Sequence, residues 1–327
     1  MTMGVLILRF DFRLGEDAPT TRSDLFDAAL DMTEWAEQRD AYMVIFNEHH
    51  GSPDGYLPSP LIMATAAATR TSRVPISVAA LLLLMYDPVK LAEDMITLDH
   101  LSKGRVGYTI GLGYRPSEYE MFGVDRSTRG HEIEERIEVL KRALAGERFE
   151  WNGRTIKVTP EPFTPGGPVL AYGGGSPAAA RRAARQGMML MAATADESLA
   201  DTYDAEAIRV GTQPGMAIVP GPGPTSVFVA EDVDAGWSAY GEYMLHDARM
   251  YADWMGAENR AANYSAAETV DELRAEQGSY QVLDPDGAVD LIRTRGVLSL
   301  QPLCGGLPPD LAWHSLRLVE HEVLPRV

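Results

Sequence analysis

Short apolar runs alternate with amphipathic stretches along the whole chain. The runs are rich in β-branched residues and lack regular polar alternation, which is typical of strands buried on both faces of a parallel sheet. They therefore predict eight strands: Val5–Phe10, Tyr42–Phe46, Pro75–Met85, Arg105–Leu112, Val169–Tyr172, Met188–Ala193, Ser226–Ala230 and Val297–Leu303.

The stretches between the apolar runs predict helices. The first, Thr21–Arg39, begins with a Ser/Asp cap signal and places Leu25, Ala28, Met32 and Trp35 on one stripe. Further helices are expected at Pro58–Thr71, Asp87–Leu101, Thr128–Ala145, Pro177–Gln186, Asp196–Arg209 and Pro308–Leu324.

Eight strands that alternate with helices predict an α/β protein with a (β/α)₈ TIM barrel, a fold of about 250 residues. The chain has 327 residues, so we expect a single domain, 1–327, with insertions after strands four and seven. These insertions are placed near residues 114–127, 147–167, 211–224 and 234–283. A doubly wound open sheet is the rival, but it normally carries a glycine fingerprint after its first strand, where this chain has Asp11-Phe12-Arg13-Leu14.

Charge and cysteine content narrow the class of protein. The chain has 29 Lys and Arg against 47 Asp and Glu, a net charge of −18, which disfavours binding to nucleic acids and to anionic membrane surfaces. The single cysteine, Cys304, excludes an internal disulfide. No apolar run approaches the roughly 20 residues that span a bilayer, and no secretory signal is recognisable. We therefore expect a soluble cytoplasmic protein.

Candidate chemistry begins at the end of the second predicted strand, with Asn47-Glu48-His49-His50. In a barrel, reactive groups lie at the carboxyl ends of the strands, and imidazole titrates near neutral pH. Glu48 and His49 are therefore candidates for proton transfer. Adjacent histidines on a strand point to opposite faces, so a shared metal ion is not favoured. A polar cluster that merely caps the strand end is the alternative.

The fourth predicted strand contains Gly111 and Gly113 and is followed by Arg115. Glycine inside a strand often marks the close approach of a ligand or of another backbone. The strand could therefore lie against a flat ring, with Arg115 meeting an anionic group. Packing of a crowded barrel layer would explain the glycines equally, and Arg115 could simply be solvated.

A glycine turn follows the fifth predicted strand, as Gly173-Gly174-Gly175-Ser176-Pro177, and leads directly into a predicted helix. Backbone N–H groups, the Ser176 hydroxyl and the positive end of the helix dipole together favour binding of an anion. Gly174, Gly175 and Ser176 are thus predicted to hold a phosphate group, although such turns are also common as simple loops.

Several of these motifs together resemble the bacterial-luciferase-like family of flavin-dependent monooxygenases and oxidoreductases. The resemblance covers nearly the whole chain except about residues 212–281. The matching segments are Glu48-His49-His50, Asp87–Asp94, Leu98–Arg105, Phe122–Asp125, Gly173–Pro177, Ala183–Gly187, Cys304–Gly306 and Val323–Pro325.

The resemblance implies a barrel with a reduced flavin, FMN, lying across the strand ends. His49 matches the catalytic histidine, which acts where oxygen reacts with the flavin, and Gly174, Gly175 and Ser176 match the phosphate turn. Ala79 and Ala80 match a bulge on the third strand, where the family often has a non-proline cis peptide that supports the ring. One position departs from the pattern: Leu112 stands where bacterial luciferase has a phosphate-binding arginine.

The resemblance leaves the reaction open. A two-component monooxygenase would take reduced FMN from a separate flavin reductase and use oxygen to oxidise a small organic substrate. A relative that depends on coenzyme F420 would transfer hydride without oxygen, and a non-catalytic flavin-binding barrel is a third possibility. A homodimer is expected by resemblance and because cyclic dimers are the commonest assemblies.

Overall fold

The computed structural model describes residues 4–16, 18–212, 215–255 and 264–327. The strands in these ranges are β1 (Leu6–Phe10), β2 (Met43–Phe46), β3 (Ile76–Leu82), β4 (Val106–Gly111), β5 (Arg148–Trp151), β6 (Arg154–Lys157), β7 (Leu170–Gly174), β8 (Met189–Ala192), β9 (Ala217–Ile218), β10 (Ser226–Val229), β11 (Tyr280–Leu283) and β12 (Leu298–Leu300).

The helices are α1 (Arg22–Gln38), α2 (Pro60–Arg70), α3 (Pro88–Ser102), α4 (Pro116–Phe122), α5 (Arg129–Leu144), α6 (Pro177–Arg185), α7 (Ser198–Val210), α8 (Val233–Met255), α9 (Val270–Ala275), α10 (Pro285–Arg295) and α11 (Pro309–Leu318). Within the described ranges, none of them combines the length and apolar character that a membrane crossing requires.

The chain divides into two compact units. The first falls within residues 1–46, 52–58 and 222–327, and its strands follow the order β11-β10-β12-β1-β2 with every pair parallel. Helix α1 begins where the sequence predicts, because Thr21 and Asp24 form a reciprocal capping box at its first turn. Its buried stripe includes Leu25, Ala29 and Met32, and these residues contribute to the core of this unit.

The second unit falls within residues 47–51 and 59–221, and its parallel strands follow the order β3-β4-β7-β8-β9. The register of β3 against β4 shifts between Ala79 and Leu81, and the peptide bond between Ala79 and Ala80 is cis. Strands β5 and β6 form a separate antiparallel hairpin. Since β4, β7 and β8 are parallel, the loops after all three emerge at the same edge.

All eight predicted strands are present, with ends that differ by up to three residues. The structure adds β11, which lies inside the predicted insertion at 234–283 and pairs with β10. Charged neighbours hide this four-residue strand in the sequence, but its alternating burial shows that Tyr280 and Val282 face the core. Helix α4 lies inside the predicted insertion at 114–127, α8 lies largely and α9 wholly inside that at 234–283, and α10 lies outside every predicted helix. The positions of the insertions remain predictions, and parts of those at 211–224 and 234–283 lie outside the described residues.

Candidate active site

A buried histidine–carboxylate pair lies at the carboxyl edge of the second unit. The His49 Nδ1 atom is 2.9 Å from Oε1 of Glu118, a residue in the first turn of α4. The other ring nitrogen, Nε2, is 3.1 Å from the hydroxyl of Tyr114. His49 is 7 % exposed and Glu118 is fully buried, so solvent screens their interaction weakly.

Glu118 is held ionised by its surroundings. Burial raises the pKa of Glu118, but hydrogen bonds from His49 and from the His50 backbone N–H, with the nearby charge of Arg115, lower it below its usual value overall. An ionised carboxylate can only accept hydrogen bonds. The Nδ1 atom of His49 therefore carries the hydrogen, and Nε2 is the nitrogen available for proton exchange.

Glu48 has a different environment from His49. Its Oε2 atom accepts the backbone N–H of Leu82 at 2.7 Å, while Oε1 binds the hydroxyl of Tyr86 and lies 3.0 Å from Nε2 of His50. Burial and the neighbouring Glu48 carboxylate raise the pKa of Tyr86, so the phenol stays a donor. Within the second unit, these bonds hold the segment 47–50 against the segment that follows the bulge in β3, so Glu48 positions the backbone that carries His49.

The candidate residues in and just after β4, which are Gly111, Gly113 and Arg115, have local structural roles. A Cβ atom on Gly111 would lie 2.7 Å from Cβ of Ala80, so glycine here makes room for the bulged β3. Gly113 has a φ of +81°, a conformation that favours glycine. Arg115 is buried and its Nη1 donates to the His50 carbonyl at 2.5 Å and to Glu118 at 3.4 Å.

The glycine turn after β7 has the features of an anion cradle. Ser176 is the N-cap of α6, and its Oγ accepts the backbone N–H of Ala179 at 3.3 Å. Gly174 has a φ of +157°, and a Cβ atom on it would lie 2.6 Å from Cβ of Ala179. A Cβ atom on Gly175 would lie 2.6 Å from Cγ2 of Thr194. The turn therefore tolerates no side chain at either glycine without a shift.

Thr194, just after β8, is a site residue that the sequence analysis missed. Its hydroxyl is buried and has no hydrogen-bond partner among the described residues. A buried hydroxyl normally finds a partner, so this one indicates capacity for a ligand. Glu118 and Tyr114 were also missed. The only sequence signal for Glu118 is its spacing of three residues after Arg115, at the start of a short helix.

Residues 1–299 match the family model described as luciferase-like monooxygenase. The chain belongs to the luciferase-like monooxygenase family. This confirms the resemblance inferred from the motifs. Limonene 1,2-monooxygenase of Rhodococcus erythropolis is 34 % identical over 100 residues, which are 31 % of this chain and 26 % of that enzyme.

Solved structures of luciferase-like proteins confirm the predicted fold class. The monooxygenase RslO1 from Streptomyces bottropensis has a TM-score of 0.76 at 23 % identity, with 98 % of each chain covered. The oxygenating constituent of 3,6-diketocamphane monooxygenase from Pseudomonas putida, in complex with FMN, has a TM-score of 0.67 at 19 % identity and covers 100 % of this chain and 99 % of its own.

An F420-dependent secondary alcohol dehydrogenase shares the same fold. It has a TM-score of 0.64 at 17 % identity, with 94 % of this chain and 98 % of that chain covered. Proteins of this fold therefore include one solved in complex with FMN and one that depends on F420. Matches to the curated relatives are shorter, and the chain spans between about a quarter and a half of their length.

Proposed function

We propose that this luciferase-like protein is the oxygenase of a two-component system, which receives reduced FMN from a separate reductase and oxidises a small organic substrate. The observation that carries the proposal is the pairing of a phosphate-type turn with a buried His49–Glu118 pair on one edge of the second unit. The family includes monooxygenases, which supports oxygen rather than hydride chemistry.

The residues present fit a flavin phosphate. The buried Thr194 hydroxyl has no partner among the described residues, and the Ser176 hydroxyl already caps α6 through its oxygen, so its hydrogen can be donated. With the N-terminus of α6 they would hold a phosphate dianion. No arginine stands at position 112, so this turn has the larger share of phosphate recognition.

When bound, reduced FMN supplies the electrons that activate oxygen. The residues of the chain orient the reacting groups and control where a proton is held. Glu118 fixes the tautomer and orientation of His49, Tyr114 donates to or accepts from Nε2, and burial keeps bulk water from this nitrogen. A proton can thus be held or released at His49 Nε2, and the carboxylate stabilises the imidazolium form.

The proposal is tested by fluorescence titration of the purified chain with FMN and with F420, followed by oxygen uptake with a flavin reductase that regenerates reduced FMN. We expect FMN to bind and His49→Ala to retain that binding while oxygen-dependent turnover falls by about 10²-fold or more. His131→Ala, at an exposed histidine of α5, is the matched control and should behave as the parent. Binding of F420 without FMN would replace the proposal with hydride transfer.

A further inference from the structure

The hydroxyl of Tyr114 engages the nitrogen of His49 that is able to exchange a proton. Glu118 keeps the hydrogen of the neutral imidazole on Nδ1, so Nε2 carries one lone pair, which lies in the plane of the ring. The Tyr114 hydroxyl is 3.1 Å from this atom. Because a lone pair only accepts, Tyr114 donates its hydrogen to Nε2. A ligand therefore reaches this lone pair either by displacing the phenol or by acting through it.

The direction of this hydrogen bond reverses when His49 is protonated. The imidazolium form carries a hydrogen on both ring nitrogens, so Nε2 then donates and the Tyr114 oxygen accepts. A tyrosine hydroxyl can do both, since it has one hydrogen and two lone pairs. The Glu118 carboxylate, 2.9 Å from Nδ1, balances the positive charge that His49 then carries. Tyr114 can thus pass a proton in either direction.

The loop after β4 fixes the phenol in this position. Gly113, just before Tyr114, adopts a φ of +81°. Its carbonyl accepts a hydrogen bond of 3.2 Å from the hydroxyl of Tyr119 on α4. The rings of His49 and Tyr114 meet edge to face, with their centroids 5.2 Å apart and an angle of 73° between the ring planes. The two groups are therefore held in one arrangement that is suited to proton transfer.

Tyr114 is the outer member of the chain of hydrogen bonds that begins at Glu118. Glu118 is fully buried, His49 is 7 % exposed, and Tyr114 is half-buried, as are Leu112 and Gly113 just before it. Exposure thus increases from the carboxylate to the phenol. A ligand that arrives at the carboxyl edge of the second unit meets the phenol before it meets the imidazole.

We propose that Tyr114 is a catalytic residue, through whose hydroxyl His49 exchanges a proton with the bound reduced flavin. Tyr114 accepts a proton from an N–H group of the flavin, whose electron pair stays on the flavin nitrogen. At the same time the original O–H bond of Tyr114 breaks and an N–H bond forms at His49 Nε2. The reverse sequence returns the proton, so charge and protons balance without a further reactant. This inference rests on the proposed function, which supplies the flavin.

The test is a double-mutant cycle on oxygen uptake by the purified chain, with a flavin reductase that regenerates reduced FMN. We expect Tyr114→Phe to lower turnover about 10²-fold, as His49→Ala does, and to retain FMN binding. The double variant should be no slower than either single variant, because both substitutions remove the same proton path. Additive losses, which amount to about 10⁴-fold in the double variant, would overturn the inference.

Tyr119→Phe is the matched control, because it removes a phenol hydroxyl beside the same loop. The Tyr119 hydroxyl donates to the backbone carbonyl groups of Leu112 and Gly113. Any loss of turnover in this variant comes from a looser loop, so it should add to the loss that His49→Ala causes. If a loss in Tyr119→Phe instead disappears in combination with His49→Ala, the cycle reports loop position and the inference is wrong.

NMR of the His49 ring nitrogens supplies a readout that needs no cofactor. In the flavin-free protein, Tyr114→Phe should move the Nε2 resonance towards that of a nitrogen whose lone pair has no hydrogen bond. Tyr119→Phe should leave this resonance near its parental position. An unchanged Nε2 resonance in Tyr114→Phe would also overturn the inference. Failure of the proposed function is seen separately, as a lack of FMN binding in the fluorescence titration.

Discussion

Gly175 offers a sharp test of the phosphate turn, because one methyl group decides whether a side chain fits there. A Cβ atom on Gly175 would lie 2.6 Å from Cγ2 of Thr194 and 3.3 Å from its Oγ1. Carbon atoms pack at about 3.5–4.0 Å, so Gly175→Ala requires a shift of about 1 Å in the turn or in Thr194. The backbone of Gly175 does not require a positive φ, so the strain is steric.

The expected size of the effect follows from this overlap. Overpacking of a close-packed site costs about 1–3 kcal/mol. If the turn moves away from Thr194, FMN binding must bring it back to the geometry that holds the phosphate. The overlap then opposes binding, and the FMN dissociation constant rises about 5- to 150-fold. If Thr194 moves instead, the free energy of unfolding falls by the same amount, and the FMN affinity falls by the share that the Thr194 hydroxyl contributes to phosphate binding.

Thr194→Ser separates these outcomes, because it removes the overlapping methyl group and keeps the hydroxyl. We expect Gly175→Ala/Thr194→Ser to recover most of the FMN affinity, measured by flavin fluorescence, and most of the thermal stability. Gly278→Ala is the control, since a Cβ atom there meets only ordinary contacts at 3.9 Å. Parental affinity and parental stability in Gly175→Ala would refute the packing argument.

Three further predictions concern Glu118, Asp11 and assembly. Glu118→Gln should reduce oxygen-dependent turnover about tenfold or more with little change in FMN binding, because it weakens a charge-assisted bond of about 1.5–3 kcal/mol to His49. The pKa of Glu118 is lowered in the parent protein, so the ionised carboxylate stabilises the fold at neutral pH, and this contribution is lost as pH falls. Acid unfolding, monitored by circular dichroism, should therefore be less steep in the variant. For Asp11, burial raises the pKa to about 7, so the parent should lose stability as pH rises from about 4 towards 7. Asp11→Asn should flatten that loss in thermal unfolding, and an unchanged pH profile would contradict the assignment. Light scattering at micromolar concentration should give the mass of a homodimer, whereas a monomer would count against the expected assembly.

Local sequence signals determined the elements and the phosphate turn. The positions of the eight apolar runs follow from side-chain periodicity, and the turn follows from adjacent glycines, a Ser N-cap and a proline in the first helical turn. These features depend on residues a few positions apart, so short-range steric and hydrogen-bonding rules suffice to predict them. Strand β11 was not predicted because its four-residue pattern is too short to be distinguished among charged neighbours.

The pairs of polar side chains that are distant in the sequence were decided by tertiary structure. His49 and Glu118 are 69 residues apart in sequence, and Asp54 and His246 are 192 apart. No local pattern relates such partners, because the strand order and register that bring them together depend on the packing of the whole unit. The sequence could therefore nominate His49 as a chemical group, but only the fold shows which carboxylate fixes its tautomer. For the same reason His246, which resembles any helical histidine in the sequence, meets Asp54 only in the folded chain.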